Sequence, residues 1–208
     1  MAKSTNSKEK TEQESTNNAN ARKENQFPSR SATNASKYDL TDATGPELEM
    51  LDPEDGLRKL LLDCVKDLYW AENHLLIALP KMAAAASMPD LQTAILQHHQ
   101  ETATQVDRLV KVFQLLGHAP QARKCDAMLG LTMEGEAVIE TTDPGTPARN
   151  LGIIMGSQKV EHYEMAAYTG LSQLATQLGE TEVAAILQET LLEEQTSNDK
   201  LAALSQQL

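Results

Sequence analysis

Aromatic residues are scarce: Phe, Trp and Tyr together make up 3% of the 208 residues, whereas apolar residues of all kinds make up 40%. Any core is therefore built from Leu, Ala, Ile, Val and Met. That palette suits helices packed on helices better than a sheet, which draws on aromatic and β-branched side chains. Long hydrophobic runs are also missing. No stretch approaches the roughly 20 apolar residues needed to span a bilayer, so no membrane partner is expected. The N-terminus carries no apolar signal-peptide region. Cysteine is limited to Cys64 and Cys125, which form no CxxC or other zinc spacing; reduced, buried thiols are the expectation. Positive charge is in deficit. The formal net charge of −12 argues against a nucleic-acid partner, whose binding surface would be basic.

Residues 1–46 are rich in Ser, Thr, Asn, Lys and Glu and nearly free of aliphatic side chains. Such a segment cannot bury enough surface to offset its chain entropy, which predicts a disordered N-terminal tail. Residues 50–208 read as one helical bundle domain. Asp52 and Pro53 give an N-cap and a first helical position. From there Leu57, Leu61, Cys64, Leu68, Glu72, Leu75 and Leu79 recur at helical spacing, with a kink expected at Pro80. A second long helix is predicted over 89–116, closed by Gly117. A shorter one follows over 124–141, then long helices over 151–178 and 180–207 with Gly179 between them. Four helices of roughly 40–50 Å result at 1.5 Å per residue. The first and last connections are short, so those pairs form antiparallel hairpins; the middle connection is long and carries its own helix. This is the pattern of a four-helix bundle with one crossover.

Each long helix interrupts its apolar stripe with a carboxylate near mid-length: Glu72, Glu101, Glu161 with Glu164, and Glu194. His98 lies one turn before Glu101. Residues three and four apart share a helix face, so these groups are expected to converge at one level of the bundle. Carboxylates crowded in a low-dielectric core repel one another unless a cation is present. Oxygen ligands with an imidazole suit iron or manganese, as one ion or as two sharing bridging carboxylates. The competing reading pairs each inward Glu with a lysine or arginine, for which Arg108 and Lys159 are available. His98 reads equally as a ligand or as a satisfied core histidine. Glu134 on the connecting helix is an outlying candidate, and Glu193, one step off its stripe, is expected to face solvent. Gln105 reads as a buried hydrogen-bond partner and Tyr168 as the tyrosine best placed to touch the layer. Gly152, Gly156 and Gly170 are read as points of close helix approach.

Several segments carry a resemblance: Asp67-Leu68-Tyr69-Trp70-Ala71-Glu72, His98 with Glu101-Thr102 and Gln105, Lys124-Cys125-Asp126-Ala127-Met128, Lys159-Val160-Glu161-His162-Tyr163-Glu164, and Gln188-Glu189-Thr190-Leu191 with Glu193-Glu194. Together these resemble the YciE/YciF family of ferritin-like proteins over residues 57–204. The resemblance implies a ferritin-like four-helix bundle with an additional short helix, a homodimer, a cytoplasmic location and a link to stress responses. It also implies a ferroxidase-type di-metal oxidoreductase, a label that rests on fold analogy. The usual di-iron pattern has Glu-x-x-His on two helices. Here Thr104 follows Glu101 and Ser197 follows Glu194 at that spacing, leaving His98 as the histidine in the layer. A non-catalytic stress-response scaffold with the same bundle is the alternative.

Overall fold

The computed structural model describes residues 52–208; the tail expected over residues 1–46 lies outside them. Five helices follow in order: α1 Pro53–Ala85, α2 Pro89–Leu115, α3 Asp126–Thr141, α4 Pro147–Gln177 and α5 Thr181–Ser205. Local chemistry sets their ends. Asp52 accepts a bond from the Glu54 amide at the start of α1, and Thr146 does the same for the Arg149 amide at the start of α4. Proline occupies the first turn of α1, α2 and α4, where its missing N–H costs nothing. Gly117 and Gly179 end α2 and α4 with φ of 76°, a left-handed conformation that glycine adopts without a Cβ penalty.

The helices follow the sequence reading with small differences. α1 continues through Pro80 to Ala85, because the alanines after the proline extend the helix and bury Met82 and Ala83. α4 begins at Pro147 rather than 151, since Thr146 and Pro147 in the turn cluster act as cap and first residue.

The four long helices form a ring in which α1 packs on α2, α2 on α5, α5 on α4 and α4 on α1. Their core is divided. One apolar cluster contains Leu61, Val65 and Leu68 of α1, Leu109 and Phe113 of α2, Leu171 and Ala175 of α4, and Val183 and Leu187 of α5. The other joins Leu75 and Leu79, Leu91 and Ile95, Ile153 and Ile154, and Leu201 and Leu204 with Cys125 and Met128 at the start of α3. Each cluster takes opposite ends of adjacent helices, so every neighbouring pair in the ring is antiparallel. α2 therefore finishes at one end of the bundle and α4 starts at the other.

The long connection must traverse the bundle, and α3 lies against α1 and α4 as it does so. Its placement is fixed by specific contacts. Tyr163 of α4 lies 3.0 Å from Cys125 Sγ and donates to Asp67 at 2.8 Å. His74 Nε2 meets Thr132 Oγ1 at 2.9 Å. Arg149 caps the end of α3 by donating to the carbonyls of Ile139 and Thr142. Gly152 permits close approach to α3: a methyl group there would overlap Val138 Cγ1. Gly156 faces Gly135 at ordinary contact distance, whereas Gly170 has no heavy atom within 4 Å of an added Cβ, so its expected packing role does not hold. Both cysteines are free thiols. No helix among the described residues is long and apolar enough to cross a membrane.

Candidate metal centre

Between the two apolar clusters lies a polar layer. Glu72, His98, Thr102, Gln105, Ser157, Glu161, Glu164, Thr190, Glu194 and Ser197 are all buried. His98, Glu161, Glu164 and Glu194 converge so tightly that one ligand atom from each lies within 4.8 Å of the others. Their backbone positions are held by the leucine and isoleucine layers above and below, which is why three helices deliver four polar groups to one point.

Hydrogen bonds orient most of these groups but leave several atoms unmatched. Tyr168, fully buried on α4, donates to Glu72 Oε1 at 2.6 Å. Gln105 donates to Glu194 Oε1 at 2.5 Å and to Glu193 Oε2 at 3.1 Å. Glu72 Oε2, His98 Nε2, Glu161 Oε2, both carboxyl oxygens of Glu164 and Glu194 Oε2 are buried without a hydrogen-bond partner. Such orphaned groups normally cost about 1–3 kcal/mol each, so their concentration in one layer requires a cause.

The side chain of His98 is held by a relay. Its Nδ1 lies 3.2 Å from Ser197 Oγ, and Ser197 can donate in turn to Glu101 Oε2 at 3.5 Å. In that direction Nδ1 carries the proton and donates to Ser197, leaving the Nε2 lone pair free toward Glu161 Oε1 at 3.6 Å. A metal-binding imidazole is typically oriented by a bond at its other nitrogen. Ser197 thus occupies the slot where the di-iron pattern has a histidine, and there it orients the one histidine of the layer.

Electrostatics follow from burial. Desolvation, then repulsion by Glu194, raises the carboxyls of Glu72 and Glu161 well above the usual range. Glu164 is raised by burial and by the charges of Glu72, Glu194 and Glu161. Glu194 rises to about 7 through burial, held back by the carboxyl proton of Glu161 and by Gln105. Burial lowers His98 to about 4, so the imidazole is neutral and able to ligate. Four buried carboxyls and no buried cation in contact with them constitute a trap for positive charge.

The structure brings Glu161, Glu164, Glu194 and His98 together, with Glu72 beside them in the same layer. Glu101 differs. Its side chain is 27% exposed, and it sits at the rim between Gln97, which donates to it at 2.9 Å, and Lys200 at 4.0 Å. Thr102 takes the inward slot instead, bonding back to the His98 carbonyl. Glu134 is on the surface, ion-paired with Lys159 at 2.5 Å. Arg108, the other cation considered for the layer, grips Glu193 through two bonds of 2.6 and 2.7 Å. Glu193 is consequently half-buried rather than solvent-facing, and although burial alone would raise its carboxyl, Arg108 and Gln105 draw it below the ordinary value. Neither expected counter-ion reaches the layer. A small cavity of about 10 Å³, lined by Ile95, His98, Ser157, Glu161, Ser197 and Lys200, adjoins the layer on the side where Lys200 is partly exposed.

Comparison with known proteins agrees with this architecture. The family described as Domain of unknown function (DUF892) matches residues 56–208. Protein YciF of Escherichia coli (strain K12) is 39% identical over 150 residues, 72% of this chain and 90% of that protein. The crystal structure of the E. coli stress protein YciF aligns with a TM-score of 0.69 at 38% identity, covering 72% of this chain and 94% of that one. A Rhodopseudomonas palustris protein, YcfI, described as a candidate structural protein, aligns at 0.68 with 37% identity over 70% of this chain and 92% of that one. With the matched region spanning the whole helical bundle, this chain belongs to the DUF892 family and is a relative of YciF.

Proposed function

We propose that this protein is a ferritin-like stress protein whose bundle binds one or two iron or manganese ions through Glu72, His98, Glu161, Glu164 and Glu194, with Glu101 at the rim, and that it oxidises Fe(II) or consumes peroxide there. One observation carries the reading: six buried oxygen and nitrogen atoms of Glu72, His98, Glu161, Glu164 and Glu194 lack any hydrogen-bond partner. The donor set is four carboxyls and one imidazole, hard and borderline ligands of the kind that suit these metals. Bound ions of that kind supply one-electron chemistry toward dioxygen or peroxide.

The chain's own groups do the rest. Tyr168 and Gln105 fix Glu72 and Glu194 by donating to one oxygen of each, which turns the other oxygen toward the shared space. Ser197 holds the imidazole by Nδ1. The apolar clusters on either side exclude water and keep the layer dry. Ionising all four buried carboxyls gives four negative charges, which two divalent ions would balance.

Elemental analysis of protein purified without added metal, with thermal melts in chelator and in anaerobic Fe(II), tests the proposal. Bound iron or manganese and a raised melting temperature are expected; metal-free protein indifferent to added Fe(II) and Mn(II) overturns it. A second reading, a non-catalytic scaffold, draws on the description of the R. palustris relative as structural. It predicts metal binding without Fe(II) oxidation, or neither. We further propose a cytoplasmic homodimer, supported by large exposed apolar side chains such as Ile77 (62% exposed) and Met155 (55%); light scattering that shows only monomer at micromolar concentration would remove it.

A further inference from the structure

In the half of the bundle where α1 begins and α4 ends, next to the N-terminus of α3, the seam between α1 and α4 opens into a groove of about 330 Å³. This volume is at the lower end of the range for small-molecule sites, roughly 300–1,000 Å³. The groove walls are apolar: Leu60, Leu68, Ala167, Leu171 and Leu174. Gly170 on α4 leaves its wall open, since an added Cβ there would meet nothing within 4 Å. Three polar side chains stand in the groove, Cys64, Asp67 and Tyr163. Tyr163 donates to Asp67 Oδ2 at 2.8 Å, and among the described residues Oδ1 has no hydrogen-bond partner and no lysine or arginine pairs with Asp67. Of the nearby cations, Lys59 and Arg123 turn to Asp63, at 2.5 and 3.7 Å, and Lys66 makes no ion pair with Asp67. The Cys64 thiol reports the resulting field, raised by burial and then by the charges of Asp67 and Asp63. An apolar slot with one unneutralised carboxylate and a tyrosine ring beside it matches a ligand with an aliphatic body and a single cationic head.

We propose that the α1–α4 groove binds a long-chain aliphatic amine, with the alkyl chain between Leu60, Leu171 and Leu174 and the ammonium on Asp67 against Tyr163. The site is separate from the polar layer and does not depend on metal there.

The test uses full-length protein with n-decylamine, decanoate and decanol as probes, followed by calorimetry and by the rate of Cys64 alkylation. Cys64 serves as the reporter because Cys125 is buried. Decylamine is expected to bind at least about tenfold more tightly than decanoate, equivalent to roughly 1.4 kcal/mol, and to slow Cys64 alkylation. Asp67→Asn keeps an acceptor for Tyr163 and is expected to abolish the preference for the amine while decanol still binds. Gly170→Leu fills the groove from a position with free space and is expected to abolish binding of all three with the fold intact by circular dichroism. Equal affinity for amine and carboxylate, no binding of the amine, or unchanged binding to Gly170→Leu overturns the proposal. So does Cys64 protection without ligand. If that protection grows with protein concentration, a second copy fills the groove; if it is independent of concentration, the chain's own N-terminal residues do.

Discussion

Glu164 has both carboxyl oxygens buried and unpartnered, and burial with the charges of Glu72, Glu194 and Glu161 keeps its proton on well above the ordinary carboxyl range. Folding metal-free protein at neutral pH therefore costs either a proton uptake or a buried charge. Glu164→Gln removes that cost at nearly constant shape, so in chelator the variant should be more stable at pH 7 by about 1 kcal/mol or more. The gain should vanish near pH 4, where the unfolded carboxyl is protonated too. Stabilisation by anaerobic Fe(II) should shrink in the same variant; a less stable variant would mean that a cation holds Glu164. Ser197→Ala tests the imidazole relay. It removes no ligand, yet losing the bond to Nδ1 should weaken Mn(II) affinity about 10–100-fold in titration calorimetry. The inward Glu residues at 72, 161, 164 and 194 were legible because each falls on its helix stripe. Glu101 was not, because adjacent residues on a helix lie 100° apart and the stripe runs between 101 and 102. The partnerships of Ser197 with His98 and of Arg108 with Glu193 join residues 99 and 85 positions apart, which no local periodicity encodes.

At the scale of helices, periodicity, caps and the glycine and proline punctuation points carried most of the architecture. The two short turns settled the hairpins. The path of α3 was less legible, since it depends on long-range contacts such as those of Arg149 with Ile139 and of His74 with Thr132. The α3–α4 seam offers a direct check. A methyl group at Gly152 would overlap Val138, and a β-branched side chain has few ways to withdraw. Gly152→Ala should cost roughly 1–3 kcal/mol in chemical denaturation despite its better helix propensity. Adding Val138→Ala should recover part of the loss, giving a favourable coupling in the double-mutant cycle. A neutral Gly152→Ala would show that α3 shifts freely over α4.

For the whole molecule, the layer makes metal-free stability run against the usual acid sensitivity. Carboxyls whose folded pKa is raised penalise folding above that pKa, and the penalty fades as pH falls toward the unfolded value near 4.3. Glu194 begins this relief at about 7, and Glu72, Glu161 and Glu164 lie in the same direction. His98 opposes it: lowered to about 4 by burial, it costs stability as pH drops below its unfolded value near 6.5. Four carboxyls outweigh one imidazole, so in chelator the melting temperature should be higher at pH 5.5 than at pH 7.5. With saturating Mn(II) the order should reverse, because binding requires the carboxylates. The same arrangement bears on how a nascent chain matures. His98 comes from α2, Glu161 and Glu164 from α4, and Glu194 from α5, and domains are synthesised N-terminus first. While only the first three helices have emerged, Glu72 and His98 have no partners in the layer. The cluster is completed in a single event, when α5 docks into the ring, so ion capture belongs to the last stage of biogenesis and cannot template the stages before it.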